Sequence, residues 1–171
     1  MDISIIDATK TNKTTGIMYG NEDAPKQMIE FVNLACPYCR QWFIESYDIL
    51  EEAVQSGRLL RIIKLFDKEK PSLKKGNVMH HHITTTDGKV ALKQIKAIFD
   101  AQDEWKQLDL DGIAEYATET LGLTEQEDQA ITQAIIDEAN AAHIQFVPTV
   151  IIDEHIFDES ITPEELSELV K

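Results

Sequence analysis

An α/β fold interrupted by an all-helical insertion is what this chain predicts, on three observations. Residues 28–32 form an apolar run, Trp42, Phe43, Tyr47, Leu50 and Val54 then recur at helical steps, and residues 59–66 form a second buried run. Together these read as strand, helix and parallel strand. Strand signals vanish from Pro71 to about Ile144, where only helical periodicities remain. They return at 147–152 and 155–157, before a closing helix. A chain of 171 residues can bury a full core. Residues 1–70 and 145–171 are expected to form one discontinuous α/β domain, with 71–144 as the insertion.

Residues 1–13 turn polar after Ile3, Ile5 and Ile6 and read as a short edge strand or a loose leader, with residues 16–19 part of the first strand. Residues 26–32 form the central strand, nearly continuous in apolar character as burial on both faces requires. Glu30 is the odd residue within it. The following helix ends near Gly57, a C-cap candidate. Arg61 and Lys64 on the next strand are both placed to approach Glu30; the sequence does not choose between them, and a solvated base is the default reading of each.

In the insertion, Ala91, Ile95 and Ile98 share a face, as do Leu110, Ile113, Ala114, Ala117 and Leu121. A third helix is expected from Thr124, with Glu127 completing a capping box and Ile131, Ala134, Ile135, Ala139 and Ala142 along its length. Asp153-Glu154 reads as a tight turn between two antiparallel strands, although it lacks the glycine of a two-residue hairpin. Thr162-Pro163-Glu164-Glu165 combines a cap, a first-turn proline and a capping acid at the start of the last helix.

The only two cysteines are Cys36 and Cys39, spaced Cys-x-x-Cys where the central strand hands over to the helix. Unpaired N–H groups and the positive end of the helix dipole stabilise a thiolate there, so Cys36 is the expected nucleophile. Cys39 lies about one turn on, turned inward and near enough to close a disulfide. Pro37 suits a first turn. A disulfide closing so small a loop would be a poor structural staple. Zinc needs four ligands, and the only further cluster is His80-His81-His82, whose adjacent side chains diverge. No metal is expected, the triplet reads as a polar helix surface, and redox activity remains.

The segment Glu30-Phe31-Val32-Asn33-Leu34-Ala35-Cys36-Pro37-Tyr38-Cys39 resembles the active-site segment of the DsbA-like branch of the thioredoxin superfamily. Gly20-Asn21-Glu22-Asp23-Ala24-Pro25 resembles the loop entering its second strand, and Phe146-Val147-Pro148-Thr149-Val150 resembles the segment whose cis-proline faces the dithiol. The similarity covers about residues 14–171. It implies a thioredoxin-like fold with an all-helical insertion and a thiol–disulfide oxidoreductase acting on protein thiols and disulfides. No cofactor is implied beyond the redox-active Cys36–Cys39 pair.

On the same resemblance, Pro37, Tyr38, Val147 and Pro148 meet the substrate. Glu30 matches the buried acid that exchanges a proton with the inner cysteine, a role that the raised pKa of a buried carboxylate would suit. Pro37-Tyr38 also resembles the glutaredoxin dipeptide, so a glutathione-dependent reductase is one alternative; an adaptor or redox-regulated binding protein without turnover is another. Glutathione or a thioredoxin-type reductant would be the redox partner. The DsbA-like kappa type of glutathione-conjugating enzyme usually has a serine in place of the dithiol, and the two cysteines count against it. Strongly oxidising DsbA proteins commonly place His between the cysteines, where this chain has Tyr38. A reduction potential of roughly −270 to −120 mV, between thioredoxin and DsbA, is expected.

A net charge of −15 argues against nucleic acid and anionic membrane surfaces as partners. No apolar run approaches the roughly 18 residues of a membrane span. Met1-Asp2-Ile3-Ser4 shows no basic region leading into an apolar one, so a cytoplasmic address is expected, or an extracytoplasmic one if the sequence begins after a removed signal.

Overall fold

Alternation along the central strand builds two cores. The computed structural model describes residues 2–171. In it β1 (Ile17–Gly20), β2 (Lys26–Val32), β3 (Leu59–Leu65), β4 (Thr149–Ile152) and β5 (His155–Phe157) form one sheet in the order β1-β3-β2-β4-β5. β2 and β3 pair in parallel, and the other neighbours are antiparallel. Successive side chains of a strand point to opposite faces. Met28 and Val32 therefore enter one core with Leu59 and Ile63, while Ile29 and Phe31 enter the other with Leu60 and Ile62. The first core is covered by α1 (Pro37–Gln55), α3 (Gly88–Asp100) and α7 (Pro163–Val170), the second by α6 (Gln129–Ala141).

The helix α1 begins with Pro37 in its first turn and ends before Gly57, whose φ of +81° suits glycine. There the Arg58 N–H donates to the Ala53 carbonyl at 3.0 Å and the Gly57 N–H to that of Val54 at 3.0 Å, satisfying the last turn. Between β3 and β4 the chain is helical: α2 (Pro71–His80), α3, α4 (Gln102–Trp105), α5 (Leu110–Glu115) and α6, with a π turn over Tyr116–Thr120. Ala91, Ile95 and Ile98 share a buried face as their spacing predicts. Trp105 Nε1–H donates to the Ile98 carbonyl at 2.8 Å and fixes α4 against α3. Thr162 caps α7, accepting from the Glu165 N–H.

Several expectations are corrected. The third helix of the insertion starts at Gln129, five residues after the Thr124 box. The preceding segment is pinned to the end of α2 instead: the Gln126 N–H donates to the His81 carbonyl at 2.8 Å, and Asp128 Oδ1 accepts from His81 Nδ1 at 2.7 Å. Residues 2–13 contain no strand. They form a short 3-10 turn at Ala8–Lys10, and the Asp7 N–H donates to the Ala142 carbonyl at 2.9 Å, docking this leader on the end of α6; Met1 lies outside the described residues. The hairpin turn is two residues long, with Asp153 at φ 51° in the place a glycine would take. Aspartate tolerates that conformation better than most residues.

Neither Arg61 nor Lys64 is solvated; both are almost wholly buried. Strand parity separates them. Arg61 shares the face of Glu30, whereas Lys64 points to the other core and donates to Glu138 Oε1 at 2.8 Å, the Thr15 carbonyl at 2.8 Å and Asn12 Oδ1 at 3.1 Å. That triple contact ties α6 and the leader to the sheet. No helix among the described residues is long and apolar enough to cross a membrane.

Candidate active site

Cys36 occupies the N-cap of α1, with extended backbone at φ −78° and ψ 124°. Its own N–H donates to the Asn33 carbonyl at 3.1 Å, and the Arg40 N–H donates back to its carbonyl at 3.1 Å, so the residue is held at the strand-to-helix turn. Both cysteines are free thiols. Cys39 is fully buried one turn further, and its sulfur accepts from the Asn33 N–H at 3.4 Å. Across the gap the Cys36 sulfur lies 3.6 Å from the Val147 carbonyl oxygen, to which its protonated form donates, and the Val147–Pro148 peptide bond is cis. The Val147–Pro148 segment is thereby brought to the Cys36 sulfur, although about 110 residues separate the two in sequence. Tyr38, two residues after Cys36, and Phe146, the neighbour of Val147, are exposed, at 57% and 50%.

The two thiols are electrostatically unlike. A hydrogen bond from the Cys39 thiol, with the backbone N–H groups of Cys39 and Tyr38, holds the Cys36 thiol down at about 6, against burial and the carboxylate of Glu159, which push it up. Burial, and then the neighbouring Cys36 sulfur, push Cys39 well above the ordinary thiol value. At neutral pH the pair is one thiolate and one thiol sharing a proton contact.

The site favours the ionised form of Cys36, so this contribution to the stability of the reduced protein is complete above the ordinary thiol value and is lost as pH falls through about 6. Alkylation of Cys36 by iodoacetamide, followed by mass spectrometry, is expected to reach half its plateau rate near pH 6. A midpoint above pH 8 would show that the thiolate is not stabilised.

Behind the dithiol, Glu30 is fully engaged. Arg61 donates from Nε to Glu30 Oε2 and from Nη2 to Oε1, each at 2.8 Å, and Trp42 Nε1–H donates to Oε1 at 2.9 Å. The odd acid of the apolar strand is half of a buried bidentate ion pair, and of the two candidate bases it is Arg61 that approaches it. Glu30, Arg61, Trp42 and Cys39 line one small buried cavity.

The histidine triplet is not a polar helix surface: His80 and His82 are buried and His81 is half-buried. Burial is possible because ring nitrogens find partners. His80 Nδ1 lies 2.7 Å from Asp67 Oδ1, His81 bridges Asp67 Oδ2 and Asp128 Oδ1 at 2.7 Å each, and His82 Nδ1 bonds the Val78 carbonyl at 2.7 Å. The Asp67 hydrogen bond, aided by Asp128, raises His81 to about 9, so it is an imidazolium at neutral pH. Burial works to raise Asp67, but the bonds from His80 and His81 outweigh it and hold it at about 2. Among the described residues no cluster of His, Cys, Asp and Glu is arranged to hold a metal ion.

A thioredoxin family model matches residues 12–171, almost the whole chain. The chain belongs to the thioredoxin family. Its structure is similar to that of a conserved protein of unknown function from Enterococcus faecalis, at 56% identity over 99% of this chain and 97% of that one, with a TM-score of 0.98. The fold recurs in alpha-DsbA1 of Wolbachia pipientis, at 20% identity and a TM-score of 0.63, covering 93% of this chain and 83% of that one. It recurs again in a periplasmic thioredoxin-like protein from Salmonella enterica serovar Typhimurium, at 19% identity and a TM-score of 0.61, covering 96% and 95%. No match is found among curated proteins. With these neighbours, the mixed sheet and the helical insertion, this thioredoxin-family protein has the DsbA-like form of the fold.

The cytoplasmic address expected from the sequence is corrected by these neighbours, one of which is a periplasmic protein of the same fold. Sequence reasoning also missed residues of this thioredoxin-family site. Asn33 meets Cys39, Gln102 of α4 donates to the Leu34 and Cys36 carbonyls, and His80 accepts from the Leu34 N–H. The histidine triplet was the only local signal for any of them. Gln102 carries none, because its position is set by how the insertion docks.

Proposed function

We propose that this protein is a thiol–disulfide oxidoreductase exchanging disulfides with protein substrates outside the cytoplasm. The observation that carries the reading is the placement of the pair: Cys36 at the N-cap of α1, its sulfur 3.6 Å from the Val147 carbonyl of the cis Val147–Pro148 segment, with Cys39 fully buried one turn on. The stabilised Cys36 thiolate and the raised Cys39 thiol agree with it. In the reducing direction the Cys36 thiolate attacks one sulfur of a substrate disulfide. The substrate S–S bond breaks, a mixed disulfide forms and one substrate thiolate leaves. Cys39 then loses its proton and attacks Cys36 Sγ, which releases the second substrate thiolate and closes the Cys36–Cys39 disulfide. Two electrons pass from the dithiol to the substrate, and the reverse sequence oxidises substrates.

In this reading, Glu30 takes up or returns the Cys39 proton across the small cavity they share. Arg61 and Trp42 keep that carboxylate in place. The exposed rings of Tyr38 and Phe146 offer an apolar landing surface. The backbone at Val147, beside the reactive sulfur, suits an extended substrate segment that adds as a strand.

Reduction of insulin disulfides by dithiothreitol tests this directly. The protein is expected to accelerate precipitation of the freed B chain, and Cys36→Ser to leave it at the uncatalysed rate. Absence of acceleration by the unmodified protein, with binding to unfolded protein retained, would point to an adaptor.

A further inference from the structure

We propose that His80 and Gln102, both from the helical insertion, are positioning residues that clamp residues 33–36 and so keep the Cys36 sulfur aligned with the N–H groups that stabilise its thiolate. The backbone of Leu34 is gripped on both sides of its Cα. Its N–H donates to His80 Nε2 at 3.0 Å and its carbonyl accepts from Gln102 Nε2 at 2.9 Å. The same Gln102 nitrogen reaches the Cys36 carbonyl at 3.2 Å.

The proton on His80 is placed by its partners. Nε2 accepts, so the ring proton sits on Nδ1 and is donated to Asp67 Oδ1, which leaves a neutral imidazole of fixed orientation. Burial, the largest influence on His80, also disfavours its charged form. The other oxygen of Asp67 is occupied by His81, which Asp128 holds in turn.

Asn33 completes the grip. Its Oδ1 accepts from the Ala35 N–H at 2.9 Å, and its Nδ2 donates to the Phe66 and Leu73 carbonyls at 3.1 Å each. α2 approaches so closely that a Cβ on Gly76 would stand 2.0 Å from Asn33 Oδ1 and 2.7 Å from the Ala35 nitrogen. His80 is 2% exposed, Gln102 1%, and Leu34 and Asn33 0%. Water therefore cannot replace a lost bond, and the loop must shift when one is removed.

The clamp deepens the oxidoreductase reading. Its test reads thiol ionisation rather than turnover, so the two can fail separately. His80→Leu removes the acceptor, His80→Gln offers an amide oxygen in its place, and Gln102→Met removes both donated bonds at similar length. For each, Cys36 is titrated by alkylation against pH, and the reduced protein is equilibrated with glutathione.

His80→Leu and Gln102→Met are each expected to raise the Cys36 pKa by about one unit. With the thiolate less stabilised, the equilibrium is expected to shift about tenfold toward the disulfide form, equivalent to about 30 mV. His80→Gln is expected to recover most of the loss. Ile135→Val, in the core on the other face of the sheet, is expected to lower the urea midpoint and move neither readout. A folded His80→Leu or Gln102→Met protein with an unchanged titration and unchanged glutathione equilibrium would overturn the proposal, as would an equal shift in Ile135→Val. If His80→Leu does not fold, Gln102→Met decides alone.

Discussion

The Cys39→Ser protein is expected to accumulate as covalent mixed disulfides with its substrates, while exchange by Cys36→Ser falls to background. The two outcomes differ because the two sulfurs do. Cys36 has the N-cap position, the stabilised thiolate and what exposure the pair retains, 5% against 0% for Cys39. Without its sulfur no attack on an external disulfide can begin, since buried Cys39 is out of reach and held as a thiol. Without Cys39 the attack proceeds, but the internal displacement that releases substrate is gone, and the mixed disulfide persists until an outside thiol resolves it. Non-reducing gels of extracts oxidised in the presence of each variant, with mass spectrometry of the adducts, make the measurement. Adducts on Cys36→Ser through Cys39 would reverse the assignment.

Removing the cation behind the dithiol is expected to have the largest effect on stability. Arg61→Met leaves the Glu30 carboxylate buried with only the Trp42 N–H as donor, a loss of about 3–5 kcal/mol when one member of a buried pair is removed. The double variant Glu30→Gln/Arg61→Met removes both charges and is expected to regain most of that, because the desolvation cost of the pair disappears with it. Urea unfolding of the reduced proteins checks both. A single-variant loss below about 1 kcal/mol would mean that water or a shifted base compensates Glu30. Because Glu30 faces Cys39 in the shared cavity, the double variant is also expected to slow release of the mixed disulfide while leaving the first attack by Cys36 unchanged.

The dithiol and its frame were legible in the sequence because they are local. Cys36, Pro37 and Cys39 lie within one turn, and the apolar run into them declares the strand that aims them. The segment around Pro148 was legible only through resemblance, since nothing in its composition says that it faces a sulfur more than a hundred residues away. The choice between Arg61 and Lys64 turned on the register of β2 against β3, in which Glu30 lies opposite Ile63 and shares a face with Arg61. Each strand shows its alternation in sequence, but which face of one meets which face of the other does not.

The insertion hid the most. Thr124 and Glu127 had the chemistry of a capping box, yet His81 claimed the neighbouring Asp128 and the Gln126 N–H, and the helix began later. Local propensity lost there to a half-buried ion pair. Gln102 and His80 serve the Cys36 loop from 66 and 46 positions away, at distances set by helix docking. A histidine triplet reads as polar surface until Asp67 and Asp128 are seen to surround it.

Cys36 and Cys39 are expected to form a reversible redox pair poised by a stabilised thiolate, and the equilibrium reduction potential in glutathione buffers tests this most directly. Thiol-specific labelling across the series, read by mass, is expected to show a single two-electron transition between the potentials of thioredoxin and DsbA, roughly −270 to −120 mV. Failure of the pair to form and release a disulfide at any buffer ratio would contradict the account and leave the adaptor reading in its place.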